Sequence, residues 1–186
     1  MIVRHLPAVA AVCVMAAPGM AAAQVWSDWS EAEARTLVAA ENGVVDEVLR
    51  PDDGTLEVYA TFDGWLKVLI GGKDCNGRGP ALRCKEMTFN ALFEIDDAAR
   101  ARRLESELIH NFVADMADGE DYVVERAVEL TGGVNLTNLR AQLDRFIGTC
   151  ELVTEKAWPD KGAASAPPAG TPIVLFRGEG GKPGVL

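Results

Sequence analysis

The chain has 186 residues, of which 48% are apolar and 25% charged, a balance typical of one folded domain rather than a disordered or multi-pass membrane protein. It carries 18 Lys and Arg against 28 Asp and Glu, a formal net charge of −10. Because nucleic-acid binding depends on clustered cations, and anionic membranes repel an acidic protein, we expect neither nucleic acid nor membrane as a partner.

The first 23 residues have the pattern of a secretory signal peptide. Arg4 is followed by an apolar run over residues 7–17 and by three alanines that end at Ala23. The run is shorter than the roughly 20 residues that span a bilayer. We therefore predict cleavage after Ala23, export to the periplasm or the medium, and a folded domain over residues 24–158.

A short helix is predicted over residues 28–41. Ser30 precedes Glu33 by three residues, which is the spacing of a capping box, and Gly43 follows as a stop signal. Within this segment Leu37 is expected to face the core, because it continues the helical period of apolar residues.

After Gly43 the apolar period changes from helical to two, which predicts an antiparallel meander. Turn signals such as Asp63-Gly64 separate the runs, and alternation gives each strand one apolar and one polar face. The predicted strands are residues 44–50, 55–62, 65–71 and 85–95.

Cys75 and Cys84 bracket a Gly- and Pro-containing loop between the third and fourth of these strands. In an exported protein thiols are oxidised, so the spacing favours a disulfide between the two residues. A metal site is the alternative, but the neighbourhood lacks the further Cys and His ligands that zinc requires. We expect no metal and no other cofactor.

The longest helix is predicted over residues 96–117, followed by a strand at 122–130, a break at Gly132-Gly133 and a last helix at 135–155. The apolar stripe of the longest helix comprises Ala101, Leu104, Leu108, Phe112 and Met116. The predicted fold class is thus α+β, an antiparallel β-meander packed with helices in the order α-β-β-β-β-α-β-α.

Cys150 lies on the apolar stripe of the last helix, which also contains Leu136, Leu139, Leu143, Phe146 and Ile147. The simplest interpretation is a buried core thiol. A covalent dimer contact and a nucleophile are the alternatives, and a nucleophilic thiol requires a base that lowers its pKa. Once the signal peptide is removed, His110 is the only histidine in the sequence that is left for that role.

The remaining residues, 159–186, are rich in Pro, Gly and Ala, which is typical of a flexible tail. Its one apolar run is residues 173–176. Such a short run either adds an edge strand to a sheet or docks in a groove.

No catalytic motif is present, so no residue is assigned a catalytic role. An acidic cluster, formed by Asp115, Asp118, Glu120 and Asp121, raises the alternative of calcium binding. Aligning Gly119 on the invariant glycine of an EF-hand loop places Ala114 and Met116 at ligand positions, so a solvated turn is favoured. An enzyme of unrecognised type, using Cys150 or this cluster, is the alternative to a binding protein.

Aromatic side chains at a surface are frequent anchors for partners. Trp65 is expected on the same strand face as Lys67, and Tyr59 lies on the polar face of the preceding strand. These three residues are the candidate partner-binding residues. The alternative for Trp65 is packing beneath a loop or a helix end.

The segments DGWLKVLIGGKDCNG, CKEMTFNALFEI, ELIHNFVADM and YVVERAVELTGGV, with LRAQLDRFIG after them, resemble the YbjN domain family, in particular its exported members with paired cysteines. The resemblance covers about residues 28–153. It implies a fold similar to type III secretion chaperones and binding of a protein or peptide partner, often as a homodimer. The shared motifs are structural, so no functional residue follows from them.

Overall fold

The computed structural model describes residues 25–95, 97, 99–100, 102–104, 113–115 and 121–159. The predicted signal peptide and residues 160–186 of the predicted tail lie outside these ranges. So do His110 and, within the predicted acidic cluster, Asp118 and Glu120.

An antiparallel sheet of six strands forms the centre of the domain. Its strands are β2 (Val44–Leu49), β3 (Leu56–Phe62), β4 (Leu66–Asn76), β5 (Arg83–Glu94), β6 (Val113–Asp115) and β7 (Asp121–Glu129). Their order across the sheet is β2-β3-β4-β5-β7-β6. The four predicted strands of the meander are therefore confirmed as consecutive neighbours, and the coarse class, mixed α+β, is confirmed as well.

Two further short strands, β1 (Val25–Trp26) and β8 (Val134–Asn135), pair with each other beside the main sheet. The two long helices are α1 (Glu31–Ala40) and α2 (Leu136–Ala157). A short 3-10 helix spans Gly79–Ala81, and residues 99–100 and 102–104 are helical. In the part of the chain that the structure describes, no helix combines the length and the apolar character needed to cross a membrane.

Both long helices begin at residues whose polar groups satisfy the first turn. The backbone amide of Ser30 donates to Glu33 Oε2 at 3.0 Å, the reciprocal half of the predicted capping box. At α2 the side-chain oxygen of Asn135 accepts a hydrogen bond from the amide of Asn138 at 2.7 Å. The chain enters α2 through Gly132 and Gly133, whose φ angles of 90° and 93° suit glycine.

One face of the sheet packs against α1 and α2 and forms the main core, which we call the helix-side core. Strand alternation directs Val58, Val68 and Phe89 to this face, and all three are fully buried. The rings of Phe89 on β5 and Phe146 on α2 have centroids 5.8 Å apart. Burial of these aromatic and branched side chains is the main contribution to stability.

The predicted helix at 96–117 is wrong at its C-terminal end, because Val113–Asp115 is strand β6. This strand pairs with β7 in the register Ala114↔Val124. The hydrogen-bonding edge of β7 outweighs the local helical period, a tertiary effect that sequence periodicity does not contain. Four residues of the predicted stripe, namely Ala101, Leu108, Phe112 and Met116, lie outside the described residues, whereas Leu104 is buried in the helix-side core.

The observed order of elements also differs from the predicted order α-β-β-β-β-α-β-α, since β1, β6 and β8 are added. Each of these strands has two or three residues, too few for a period of two to be visible in the sequence. Strands β4 and β5 are longer than predicted, and β2 contains a bulge between Val45 and Glu47.

Candidate functional site

The sheet has a second face, which points away from α1 and α2. It is formed by the residues that alternate with those of the helix-side core on β3, β4, β5 and β7. The described side chains on this second face include Glu57, Tyr59, Thr61, Lys67, Leu69, Lys73, Glu86, Thr88, Asn90, Leu92, Val123 and Glu125.

Three large apolar or aromatic side chains of the second face are buried. Tyr59 is 2% exposed, Leu92 4% and Val123 0%. None of the three belongs to the helix-side core. Leu92 and Val123 face each other across β5 and β7, so they form one apolar patch.

A polar strip crosses the centre of the second face. The Thr88 hydroxyl donates to the carbonyl of Gly71 at 3.4 Å and accepts from Asn90 Nδ2 at 3.1 Å. A side chain at position 71 has no room, because a Cβ there would lie 2.6 Å from Thr88 Oγ1. The strip is therefore internally hydrogen-bonded and fixed in position.

Charged side chains surround this strip. Lys67 Nζ lies 3.2 Å from Asp46 Oδ2, and the same carboxylate accepts from the Thr61 hydroxyl at 2.6 Å. Lys73 Nζ lies 3.7 Å from Glu125 Oε1. The surface thus combines an apolar patch with a charged rim, the composition of many protein-binding surfaces.

The structure places two of the three candidate partner-binding residues on the second face. Tyr59 is buried there, and its hydroxyl donates to Glu57 Oε2 at 2.9 Å. Lys67 is accessible, with 39% of its side chain exposed. Trp65 precedes β4, is half-buried and packs against the helix-side core, which agrees with the alternative of packing beneath other elements.

Leu92 and Val123 were not among the predicted binding residues, although a sequence signal for them exists. Each lies within three consecutive apolar residues, 91–93 on β5 and 122–124 on β7. Such runs place apolar side chains on both faces of a strand, which is typical of sheets covered on both sides.

Cys75 and Cys84 are joined by a disulfide with an S–S distance of 2.02 Å. They occupy directly opposed positions on β4 and β5, at the end of the sheet where the connecting loop begins. The bond therefore holds the two central strands together at this end.

Cys150 is fully buried in the helix-side core. Burial, and then the neighbouring carboxylate of Glu151, raise the pKa of this thiol well above its ordinary value. A nucleophilic thiol requires the opposite shift. Its surroundings are therefore those of a structural core residue.

Within the described ranges, no group of three or more His, Cys, Asp or Glu side chains is arranged to hold a metal ion. Half of the predicted acidic cluster lies outside those ranges, so the calcium alternative stays a prediction. No known family model, curated protein or solved structure matches the chain.

Proposed function

We propose that this chain is an exported, non-enzymatic protein-binding domain and that the second face of its sheet is the binding surface. The observation that carries the proposal is the apolar patch of Leu92 and Val123 on the face opposite the helices. Patches of this kind, with a polar rim, mark interaction surfaces in soluble proteins.

Two sequence observations support the proposal. The predicted signal peptide supports export, and the cross-strand disulfide of Cys75 and Cys84 is chemically suited to an oxidising compartment. The resemblance to the YbjN family supports a domain similar to type III secretion chaperones, which bind other proteins. Under this proposal the partner is a protein or peptide, and a second copy of the chain is one such partner.

A site-specific crosslinking experiment tests the proposal. Photo-reactive benzoylphenylalanine replaces Lys67 on the second face in one variant, and replaces Asp144, an exposed residue of α2, in a matched control. Irradiation of cells that export the protein is expected to give a defined protein adduct at position 67 and none at position 144.

Adducts absent at position 67, or equal at both positions, would contradict a binding surface on this face. The adduct mass identifies the partner, and an adduct of twice the chain mass identifies a second copy. Circular dichroism of both variants controls for folding.

A further inference from the structure

Leu92 and Val123 are buried more completely than the described elements explain. Val123 has strand neighbours in the plane of the sheet only, and these leave the outer surface of a side chain accessible. An exposure of 0% requires atoms above the sheet. The buried side chains of α1, α2 and β1 all belong to the helix-side core, so the cover is not supplied by these described elements.

We propose that the cover is the apolar run 173–176 of the chain's own C-terminal segment, Ile-Val-Leu-Phe, docked on the second face. The surface is then occupied in cis, and an external partner binds by displacing this segment. The displacement step rests on the proposed function, whereas the docking itself does not.

The length of the segment permits this contact. Helix α2 ends at Ala157, and residue 173 follows 16 residues later. An extended chain of that length spans about 50 Å at about 3.3 Å per residue. A domain of this size has a radius of gyration of about 14 Å, so the run reaches the opposite face of the sheet without unwinding α2.

The composition of the run matches the surface. Its four side chains are branched or aromatic, the types that pack on a pleated sheet, and Pro172 and Gly178 bracket the run with Arg177. On the second face Glu47, Glu57, Glu86 and Glu125 outnumber Lys67 and Lys73. Arg177, directly after the apolar run, therefore complements the acidic rim.

Two other parts of the chain are alternative covers, and both are tethered at each end. Residues 105–112 leave from Leu104 in the helix-side core and must reach the edge strand β6 within eight residues. Residues 116–120 close the connection between β6 and β7. Substitutions confined to the C-terminal run distinguish it from these internal covers.

The test measures access to the apolar patch in the full-length chain. Leu92→Cys is introduced in a Cys150→Ala background, and its alkylation by a maleimide is timed under native, non-reducing conditions. A second version adds Leu175→Asp and Phe176→Asp, and a matched control adds Val185→Asp and Leu186→Asp in the same tail. We expect alkylation to accelerate at least tenfold with the first pair and to stay unchanged with the second.

Two reference positions control for folding. Val44→Cys replaces a residue that is 64% exposed and is expected to react at one rate in all backgrounds. Val153→Cys replaces a fully buried residue of the helix-side core and is expected to stay protected in all of them. If Leu92→Cys reacts poorly because the variant misfolds, Val123→Cys on the opposed strand reports on the same patch.

A binding measurement completes the test. A fluorescent peptide of residues 170–180 is expected to bind the full chain carrying Leu175→Asp and Phe176→Asp, and not the unmodified chain. Unchanged alkylation after these two substitutions, or no peptide binding to the variant, would overturn the docking proposal.

The outcome is separable from that of the proposed function. Release of Leu92 without any adduct at position 67 would keep the docking and reject the binding domain. An adduct at position 67 with an unaltered alkylation rate would do the reverse.

Discussion

Trp29 and Cys84 exchange both of their main-chain hydrogen bonds. The amide of Trp29 donates to the carbonyl of Cys84 at 2.9 Å, and the amide of Cys84 donates back at 2.8 Å. The indole nitrogen of Trp29 donates to the carbonyl of Glu86 at 2.9 Å, and the side chain is fully buried. The segment before α1 is thereby fixed to β5 at the half-cystine.

Removal of the disulfide is expected to destabilise the domain. Closing a loop of about ten residues is worth roughly 2.5 kcal/mol in the chain-entropy model, so the Cys75→Ala/Cys84→Ala variant should unfold at lower urea concentration by that amount. Urea unfolding followed by circular dichroism measures the difference. Cys150→Ala is the control, and it should leave the sensitivity of stability to reductant unaltered.

Gly72 lies directly beneath this contact, and its substitution should be costly. A Cβ at Gly72 would lie 2.5 Å from Cys84 Sγ and 3.0 Å from Trp29 Cζ2. Gly72→Ala is therefore expected to destabilise the fold by about 1 to 3 kcal/mol through overpacking. Thermal unfolding measures it.

Gly148→Ala is the matched control for that substitution. Position 148 is in the interior of α2, and a Cβ there would meet no neighbouring side chain within 4 Å. Alanine there should stabilise the helix by roughly 0.5 to 1 kcal/mol, because glycine is the poorer helix former. Equal effects of the two substitutions would contradict the packing described at Gly72.

The N-cap of α2 gives a further prediction. Asn135→Ala removes the acceptor for the Asn138 amide and should cost about 1 kcal/mol of stability. Asn135→Asp keeps an acceptor at the same position and should retain most of the stability. If both variants unfold with the wild-type midpoint, the cap does not contribute.

Local sequence signals predicted much of this fold, because their causes are local. The capping-box spacing of Ser30 and Glu33 and the period of two in β3 depend on neighbours within a few residues. Strand β6 depends on the edge of β7 instead, and the bridge between Trp29 and Cys84 joins residues 55 positions apart. Of the candidate site, alternation placed Tyr59 and Lys67 on one face, but the burial of Leu92 depends on tertiary contacts.

The stability contribution of Glu31 should depend on pH. A hydrogen bond from Arg35, opposed by partial burial and aided by Arg50, lowers the pKa of this carboxyl below its ordinary 4.5. A lowered folded-state pKa stabilises the fold above the unfolded pKa, and this contribution is lost as the pH falls through the folded value.

The variant Glu31→Gln tests this dependence. It should be less stable than wild type at about pH 7, by less than about 1 kcal/mol because the ion pairs are near the surface, and the difference should vanish at about pH 3. Urea unfolding at both pH values measures it. A difference that grows on acidification would have the wrong sign.

The thiol of Cys150 should be unreactive in the folded protein. It is fully buried, and burial raises its pKa, so both access and thiolate formation are disfavoured. Timed reaction with a disulfide reagent should show no modification under native conditions and one equivalent after unfolding. Rapid native modification would instead favour the redox or nucleophilic alternative.

The bulge in β2 has a consequence for how this protein behaves at high concentration. Strand β2 is one outer edge of the sheet, and between Val45 and Glu47 its register shifts at Asp46, whose carboxylate bonds to Thr61 and Lys67. An approaching strand meets a kinked ladder and two acidic side chains. The other edge, β6, has three residues. The sheet therefore resists edge-to-edge aggregation at both ends, and its binding capacity resides in a face rather than in a free strand.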